Sequence, residues 1–343
     1  MQDYEKSDKF LLDNIIIEIL RCPSCHTDNS INSSLICGKC GKKYSHYKGV
    51  PILINKSYEE YDLDESEENY GNARIYQPIG LKSEKFYKYI IFKPSAQTEF
   101  ELLRLKYEYP IKLCNYTLDY FSKYITNDNY KILDIGSGTG TYDHLIVENH
   151  PSCYIFGIEI IKNAAAISQE LLGGAHLEYI CADATNLPII SNHFDIVYTK
   201  NSVEHAGISM MEEIYRVLKP GGKALIIGPG YIQAFTCKPL RLIHLLISKL
   251  KRKKYEVHGF KVSVYKKTFR SLGFHLIKHD AFCFNTKQRS YSKKVEGNIT
   301  ILKIMLFFNN IIEKILRRLK LFSFLWIQVF ELMKPRNKLL INK

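Results

Sequence analysis

The chain has 343 residues, 46% of them hydrophobic, with 19 glycines and 11 prolines. That is more than one ordinary domain and enough apolar material to bury a sizeable core, which excludes a disordered or low-complexity protein. Lys and Arg outnumber Asp and Glu by 48 to 35, a formal charge of +13, so anionic partners such as nucleic acid or a bilayer surface stay open.

Residues 1–56 are read as an N-terminal helix followed by a metal ribbon. Cys22-Pro23-Ser24-Cys25 and Cys37-Gly38-Lys39-Cys40 form a C-x2-C-x11-C-x2-C array. Each pair aims two thiolates at one point, and two pairs close a tetrahedral site of the structural Zn2+ kind. With Cys22, Cys25, Cys37 and Cys40 as ligands no position is left for water or substrate, so the metal holds structure and chemistry must come from elsewhere. The segment is too small to fold on a core of its own, and metal binding at ~10–16 kcal/mol would supply its folding free energy. Disulfides are the competing explanation, against which stand the five scattered single cysteines and the expectation that no secretory signal precedes them. The stretch from Lys43 to Ile54 resembles the ribbon of the small activator subunit of tRNA methyltransferases. That likeness implies a built-in brace for the domain that follows, with substrate contact left open.

Residues 57–68 are an acidic linker, most simply a solvated run. Residues 69–128 are Tyr-rich and helix-like, and Tyr70, Tyr76 and Tyr87 are either lid and acceptor-site aromatics or plain packing residues. The core is expected over 129–335. It opens with Lys131 to Ile135, an apolar strand running into Gly136-Ser137-Gly138-Thr139-Gly140. Glycines there let the backbone turn tightly and approach a ligand, with a helix from Thr141 to His150 behind it. The D-x-G-x-G-x-G string that begins at Asp134 is not the dinucleotide G-x-G-x-x-G. It resembles motif I of the class I S-adenosylmethionine (SAM) methyltransferases.

Further segments follow in the order that family requires. Tyr154 to Glu159 reads as a second buried strand ending in a carboxylate, and in a doubly wound fold an acid at that place binds ribose hydroxyls. Leu177 to Ala184 is a third strand leading to Asp183, which the resemblance puts beside the adenine; a turn or helix-cap role is the alternative. Phe194 to Lys200 is the fourth strand, with Asn201 to His205 as its exit loop near the reacting centre. Ile214 to Ile227 gives helix, Pro-Gly-Gly turn and fifth strand, and its R-V-L-K-P-G-G run resembles the type 11 and quinone-biosynthesis branch of the family. Gly273 to Ile277 is a sixth strand. Trp326 to Pro335, with its terminal Lys-Pro, fits the family's last strand, which makes residues 298–324 an insertion; residues 336–343 are a tail.

The resemblance implies an α/β fold, a Rossmann-like, doubly wound, seven-stranded sheet with helical insertions at about 235–256 and 298–324. Strand and helix alternation argues for such a sheet independently. It also implies that SAM lies against Asp134, Gly136, Ser137, Gly138, Gly140, Glu159, Ile160, Asp183, Ala184 and Asn201. Should the acceptor be a hydroxyl, a base is needed, and His205 and His258 are the candidates, each with a structural role as its alternative.

Much of the positive charge sits on two apolar, basic helical stretches, 240–254 and 311–320. They fit caps over an acceptor pocket, or contact with an anionic membrane through a lipid-linked acceptor, and RNA less well. Neither is long enough in apolar residues to span a bilayer. Reduced zinc thiolates lead to the expectation of a cytoplasmic protein, allowing peripheral contact with the inner face of a membrane. The function expected is SAM-dependent methyl transfer to a small-molecule or lipid-linked acceptor, such as a glycan intermediate or quinone-like precursor. An RNA methyltransferase and a non-catalytic scaffold of ribbon and Rossmann-like domain are the alternatives. Oligomeric state is not legible.

Overall fold

Parallel strands packed on both faces must be apolar almost throughout, and three segments meet that condition. β3 (Lys131–Ile135), β4 (Tyr154–Glu159) and β6 (Phe194–Lys200) are buried along nearly their whole length. They form the middle of the sheet in a computed structural model that describes residues 17–57, 109–138, 140–174, 176–230, 260–282, 299–325 and 327–336. The remaining elements are β1 (Ser45–Tyr47), β2 (Val50–Ile52), α1 (Tyr109–Tyr124), α2 (Thr141–Asn149), α3 (Lys162–Leu172), β5 (Leu177–Cys181), α4 (Val203–Ala206), α5 (Ile208–Val217), β7 (Leu218–Pro229), α6 (Val262–Leu272), β8 (His275–Phe282), α7 (Ile299–Arg318) and β9 (Ile327–Met333).

The strand order is β1-β2-β5-β4-β3-β6-β7-β9-β8. Strands β5-β4-β3-β6-β7 are parallel, while β9 runs antiparallel between β7 and β8. Order reverses between β3 and β6, the switch point at which such sheets open a crevice beyond their carboxyl ends. The seven expected strands are all present, and the expected insertion is a helix, α7, between β8 and β9.

Two more strands were not expected in the sheet. The ribbon hairpin β1–β2 extends it, because β2 lies parallel to β5 with Ile52 opposite Cys181 and the Leu53 N–H donating to the Cys181 carbonyl at 2.8 Å. The ribbon's other end is stitched by the Leu20–Ile189 bridge and by the Arg21 N–H donating to the Pro188 carbonyl at 3.0 Å. Ile19, Leu20, Ile31, Leu35 and Leu53 are buried in one cluster with Leu133, Ile135, Phe156 and Ile180. The ribbon thus shares a core with the sheet.

Period-two alternation divides the rest. On the ribbon's face, Leu133, Val197, Ala224 and Phe330 pack under Met210 and Ile214 of α5 and Tyr265 and Phe269 of α6. On the other face, Ile132, Ile155, Tyr198, Leu225 and Val329 pack under Tyr120 and Phe121 of α1 and Leu145 and Ile146 of α2. β8 runs farther than its apolar start suggests, through Lys278, His279 and Asp280. Cross-strand and inter-helix pairing explains this: Lys278 stands opposite Glu331, and Arg317 of α7 holds Asp280 through Nη2–Oδ2 at 2.8 Å and Nε–Oδ1 at 3.1 Å. Tyr116 and Tyr124 of α1 donate to the buried Glu331 carboxylate at 2.6 and 3.0 Å.

The Pro-Gly-Gly turn falls inside β7 as an irregularity. Leu218 pairs with Phe194 and Lys223 with Ile196, so four residues bulge between the two pairings. Lys334 fills the space, donating from Nζ to Asn192 Oδ1, the Tyr215 carbonyl and the Leu218 carbonyl at 2.7–2.8 Å. Among the described residues no helix is long and apolar enough to cross a membrane. The expected acidic linker from 58 onward, Tyr70, Tyr76, Tyr87, the 235–256 insertion, residues 1–16 and the tail from 337 lie outside the described residues.

Candidate active site

The carboxyl ends of β3, β4, β5 and β6 bring most of the predicted residues together. After Ile135 the chain reverses through Gly136, whose φ of 77° is left-handed and whose absent Cβ would otherwise lie 1.9 Å from Ser202 Oγ. Only glycine fits both demands. Gly136 and Ser137 donate their N–H groups to the Ile158 carbonyl at 2.7 and 3.1 Å, which ties the loop to the end of β4. Gly140 closes the loop as the N-cap of α2 in left-handed conformation, without a side-chain cap. The positive end of the α2 dipole therefore lies at this turn.

Glu159 ends β4 and is 7% exposed. Its Oε2 accepts from the Gly138 N–H at 2.9 Å and its Oε1 from the Ile161 N–H at 3.0 Å. Each carboxylate oxygen has two lone pairs, so a hydroxylic ligand can add to this arrangement without breaking it. Ile160, next in the chain, is half-buried and its carbonyl accepts from Cys181 Sγ. Asp183 lies two residues beyond β5, where Oδ1 accepts from the Thr185 N–H and hydroxyl at 2.8 and 2.7 Å. It organises the local turn, with Ala184 half-buried beside it. Asn201, just past β6, takes a left-handed φ of 55° while its N–H donates to the Ile227 carbonyl.

Several polar atoms around the crevice find no hydrogen-bond partner within the protein. Ser137 Oγ, Thr199 Oγ1 and Asn201 Oδ1 are all buried in this condition. Leaving a buried polar group unpaired costs roughly 1–3 kcal/mol, so three of them at one mouth mark a place built for a polar ligand. A small apolar cleft lies between α4–α5 and α6, lined by Val203, Ile208 and Met211 from one side and Phe260 and Tyr265 from the other.

Beneath the loop lies an acidic pair that the sequence did not disclose. Asp134 and Asp143 are 4% and 0% exposed, and the Tyr198 hydroxyl donates to Asp143 Oδ1 at 2.5 Å. Burial pushes both carboxyls up, and the Asp143 charge pushes Asp134 further, with Lys200 opposing. Both carboxyls therefore hold a proton more tightly than an exposed acid would. Asp134, also expected among the cofactor residues, is buried beside Asp143 where the loop begins.

Of the expected bases, His205 is exposed on the single-turn helix α4, and His258 lies outside the described residues.

The four ribbon cysteines converge as their spacing predicts. Their Sγ atoms all lie within 4.8 Å of one another, with Cys22–Cys40 at 3.8 Å and Cys25–Cys37 at 3.7 Å. A tetrahedron with Zn–S bonds of about 2.3 Å has edges of about 3.8 Å, so the cage fits that ion. Hydroxyls lie against three of the sulfurs: Tyr44 Oη at 3.0 Å from Cys22, Thr27 Oγ1 at 3.3 Å from Cys25 and Ser30 Oγ at 3.3 Å from Cys37. The Thr27 and Ser30 hydroxyls accept from Cys25 and Cys37, and Ser30 in turn donates to the Thr27 carbonyl at 2.8 Å, so these contacts fix the orientation of the sulfurs.

Residues 133–226 match the family described as a methyltransferase domain, a stretch that runs from within β3 into β7. The centre of this chain is a class I methyltransferase domain. Among curated relatives, it is 27% identical over 149 residues to a phosphoethanolamine N-methyltransferase of Triticum aestivum, covering 42% of this chain and 28% of that one. It is 30% identical over 100 residues to a ubiquinone/menaquinone biosynthesis C-methyltransferase of Desulfotalea psychrophila, covering 28% and 40%. The chain thus spans well under half the length of these relatives. Among solved structures, the geranyl diphosphate C-methyltransferase of Streptomyces coelicolor A3(2) superposes with a TM-score of 0.50 over 81% of this chain and 99% of that one, at 11% identity, a likeness of fold.

Proposed function

We propose that this protein transfers a methyl group from SAM to a small-molecule or lipid-linked acceptor, with a structural Zn2+ in its ribbon. The observation that carries this reading is the convergence, within a methyltransferase domain, of the left-handed glycine loop, Glu159 and three unpaired buried polar atoms at the sheet's switch point. When bound, SAM supplies a methyl group on a sulfonium, already disposed to leave.

The protein's own residues then have to bind, orient and exclude water. Glu159 receives the ribose hydroxyls while keeping its hold on Gly138 and Ile161. Gly136, Ser137, Gly138 and Gly140 give backbone access along the loop, and Asp183 and Ala184 flank the base. Asn201, fixed by its bond to Ile227, faces the reacting end. For a hydroxyl acceptor, His205 is the residue in the described part of the chain to take the proton.

The named activities of the relatives, on phosphoethanolamine and on ubiquinone and menaquinone precursors, support a small acceptor. The test is transfer of labelled methyl from SAM by the full chain to three panels: phosphorylated and free amines, quinone-like and lipid-linked phenols, and bulk RNA. Label in either of the first two supports the proposal. Label confined to RNA, or none from folded protein that binds SAM, contradicts it.

A further inference from the structure

Seven of the nine large apolar side chains exposed among the described residues lie in one short stretch, from Ile304 to Leu321. Ile304, Phe307, Phe308, Ile311 and Ile315 recur at three- and four-residue steps, so they form one stripe along α7, continued by Leu319 just beyond it. Phe307 is 62% exposed, Phe308 57% and Leu319 60%. Scattered exposed apolar residues need no explanation, whereas a contiguous row on one helix does.

The opposite side of α7 is fixed to the protein. Arg317 grips Asp280 with two hydrogen bonds and lies 4.4 Å over the Phe282 ring, and Glu313 is 5% exposed. Glu313 is also the sole acidic residue between Ile299 and Lys320. Among the described side chains the outward side carries Ile304, Phe307, Phe308, Ile311 and Ile315, with Lys314 and Arg318 exposed on the helix's C-terminal half and Lys320 exposed just beyond its end.

We propose that α7 is a membrane-docking helix that lies flat on an anionic bilayer, with Phe307 and Phe308 inserted among the acyl chains and Lys314, Arg318 and Lys320 at the lipid phosphates. Charge decides the occupant. A second copy of the chain would bring the same acid-free patch against itself and leave these cations without counter-charges. An anionic lipid surface offers apolar depth and negative charge together. α7 is not apolar enough to cross a bilayer, so the geometry is interfacial. The inference rests on α7 alone and is independent of the methyl-transfer reading.

The test is co-sedimentation of the full chain with vesicles of phosphatidylcholine mixed with phosphatidylglycerol, and with phosphatidylcholine alone. Binding should be confined largely to the anionic vesicles and weaken in high salt. It should fall by at least about tenfold in a Phe307→Asp/Phe308→Asp variant. A Lys314→Glu/Arg318→Glu/Lys320→Glu variant tests the charges separately, and both variants should keep the parent's circular dichroism and SAM affinity. Failure of the folded parent to bind anionic vesicles overturns the proposal. So does binding that is indifferent to lipid charge and salt, or a dimer in light scattering that the Phe variant dissolves, which would give the stripe to a second copy.

Discussion

Asp134 and Asp143 lie buried together beneath the glycine loop. Two carboxyls buried together cannot both ionise without large cost, and Tyr198 and Lys200 relieve only part of it. Both groups bind protons more tightly folded than unfolded. Their contribution to stability is therefore fully present below the ordinary carboxylate value of 3.8 and is lost as pH rises through the raised folded values. An Asp143→Asn variant keeps an acceptor for Tyr198 and removes one acid, so its loss of stability between a pH near 3.8 and neutral pH should be shallower than the parent's. Thermal unfolding at the two pH values checks this, and parallel curves would refute it. Glu159 was legible from its place at a strand end. Asp143 was not, since nothing local distinguishes it from any acid in a first helical turn; its partners come from β3 and β6, and only the strand order brings them near.

At the scale of elements, the R-V-L-K run acquires a physical role. Arg216 of α5 pairs with both oxygens of Glu213 at 2.7 Å and donates to the carbonyls of Ile189 at 2.6 Å and Leu187 at 3.2 Å. Glu213 accepts in turn from the Leu187 N–H at 2.8 Å. The clamp fixes residues 187–191, the same loop to which Leu20 and Arg21 of the ribbon are stitched. An Arg216→Ala variant should lose about 2 kcal/mol in denaturant unfolding, because it leaves a half-buried carboxylate and two carbonyls without their charged donor. A change below about 0.5 kcal/mol would mean that the clamp is merely surface decoration. Strand order and the α7 insertion were readable because each strand carries its own apolar period and each turn its own glycine. The joining of β2 to β5 was not, since three-residue strands leave almost no pattern and their pairing is decided by a distant edge.

At the scale of the molecule, the ribbon and the sheet share one buried core. Ile19, Leu20, Cys22 and Cys37 are buried in the cluster that holds Leu133 and Phe156. If Zn2+ occupies the four thiolates, its removal should unsettle the sheet as well as the ribbon. Chelation, followed through the thiolate–metal charge-transfer band of a Co2+-substituted sample, should lower the unfolding temperature of the entire chain in one transition. Two separate transitions, with the sheet unchanged, would show the ribbon to be an appendage. The cage itself was fully legible because its four ligands lie within nineteen consecutive positions, Cys22 to Cys40. Its role as an edge of the sheet was not, because that depends on where the ribbon docks.

The account stands on the crevice at the ends of β3, β4 and β6 receiving SAM through Glu159 and the glycine loop. Calorimetric titration of the metal-loaded protein with S-adenosylhomocysteine tests this most directly. Saturable one-to-one binding that weakens by at least about tenfold in a Glu159→Ala variant of unchanged fold is the predicted result. A folded parent that takes up no S-adenosylhomocysteine, or a Glu159→Ala variant that binds it as well as the parent, would contradict it.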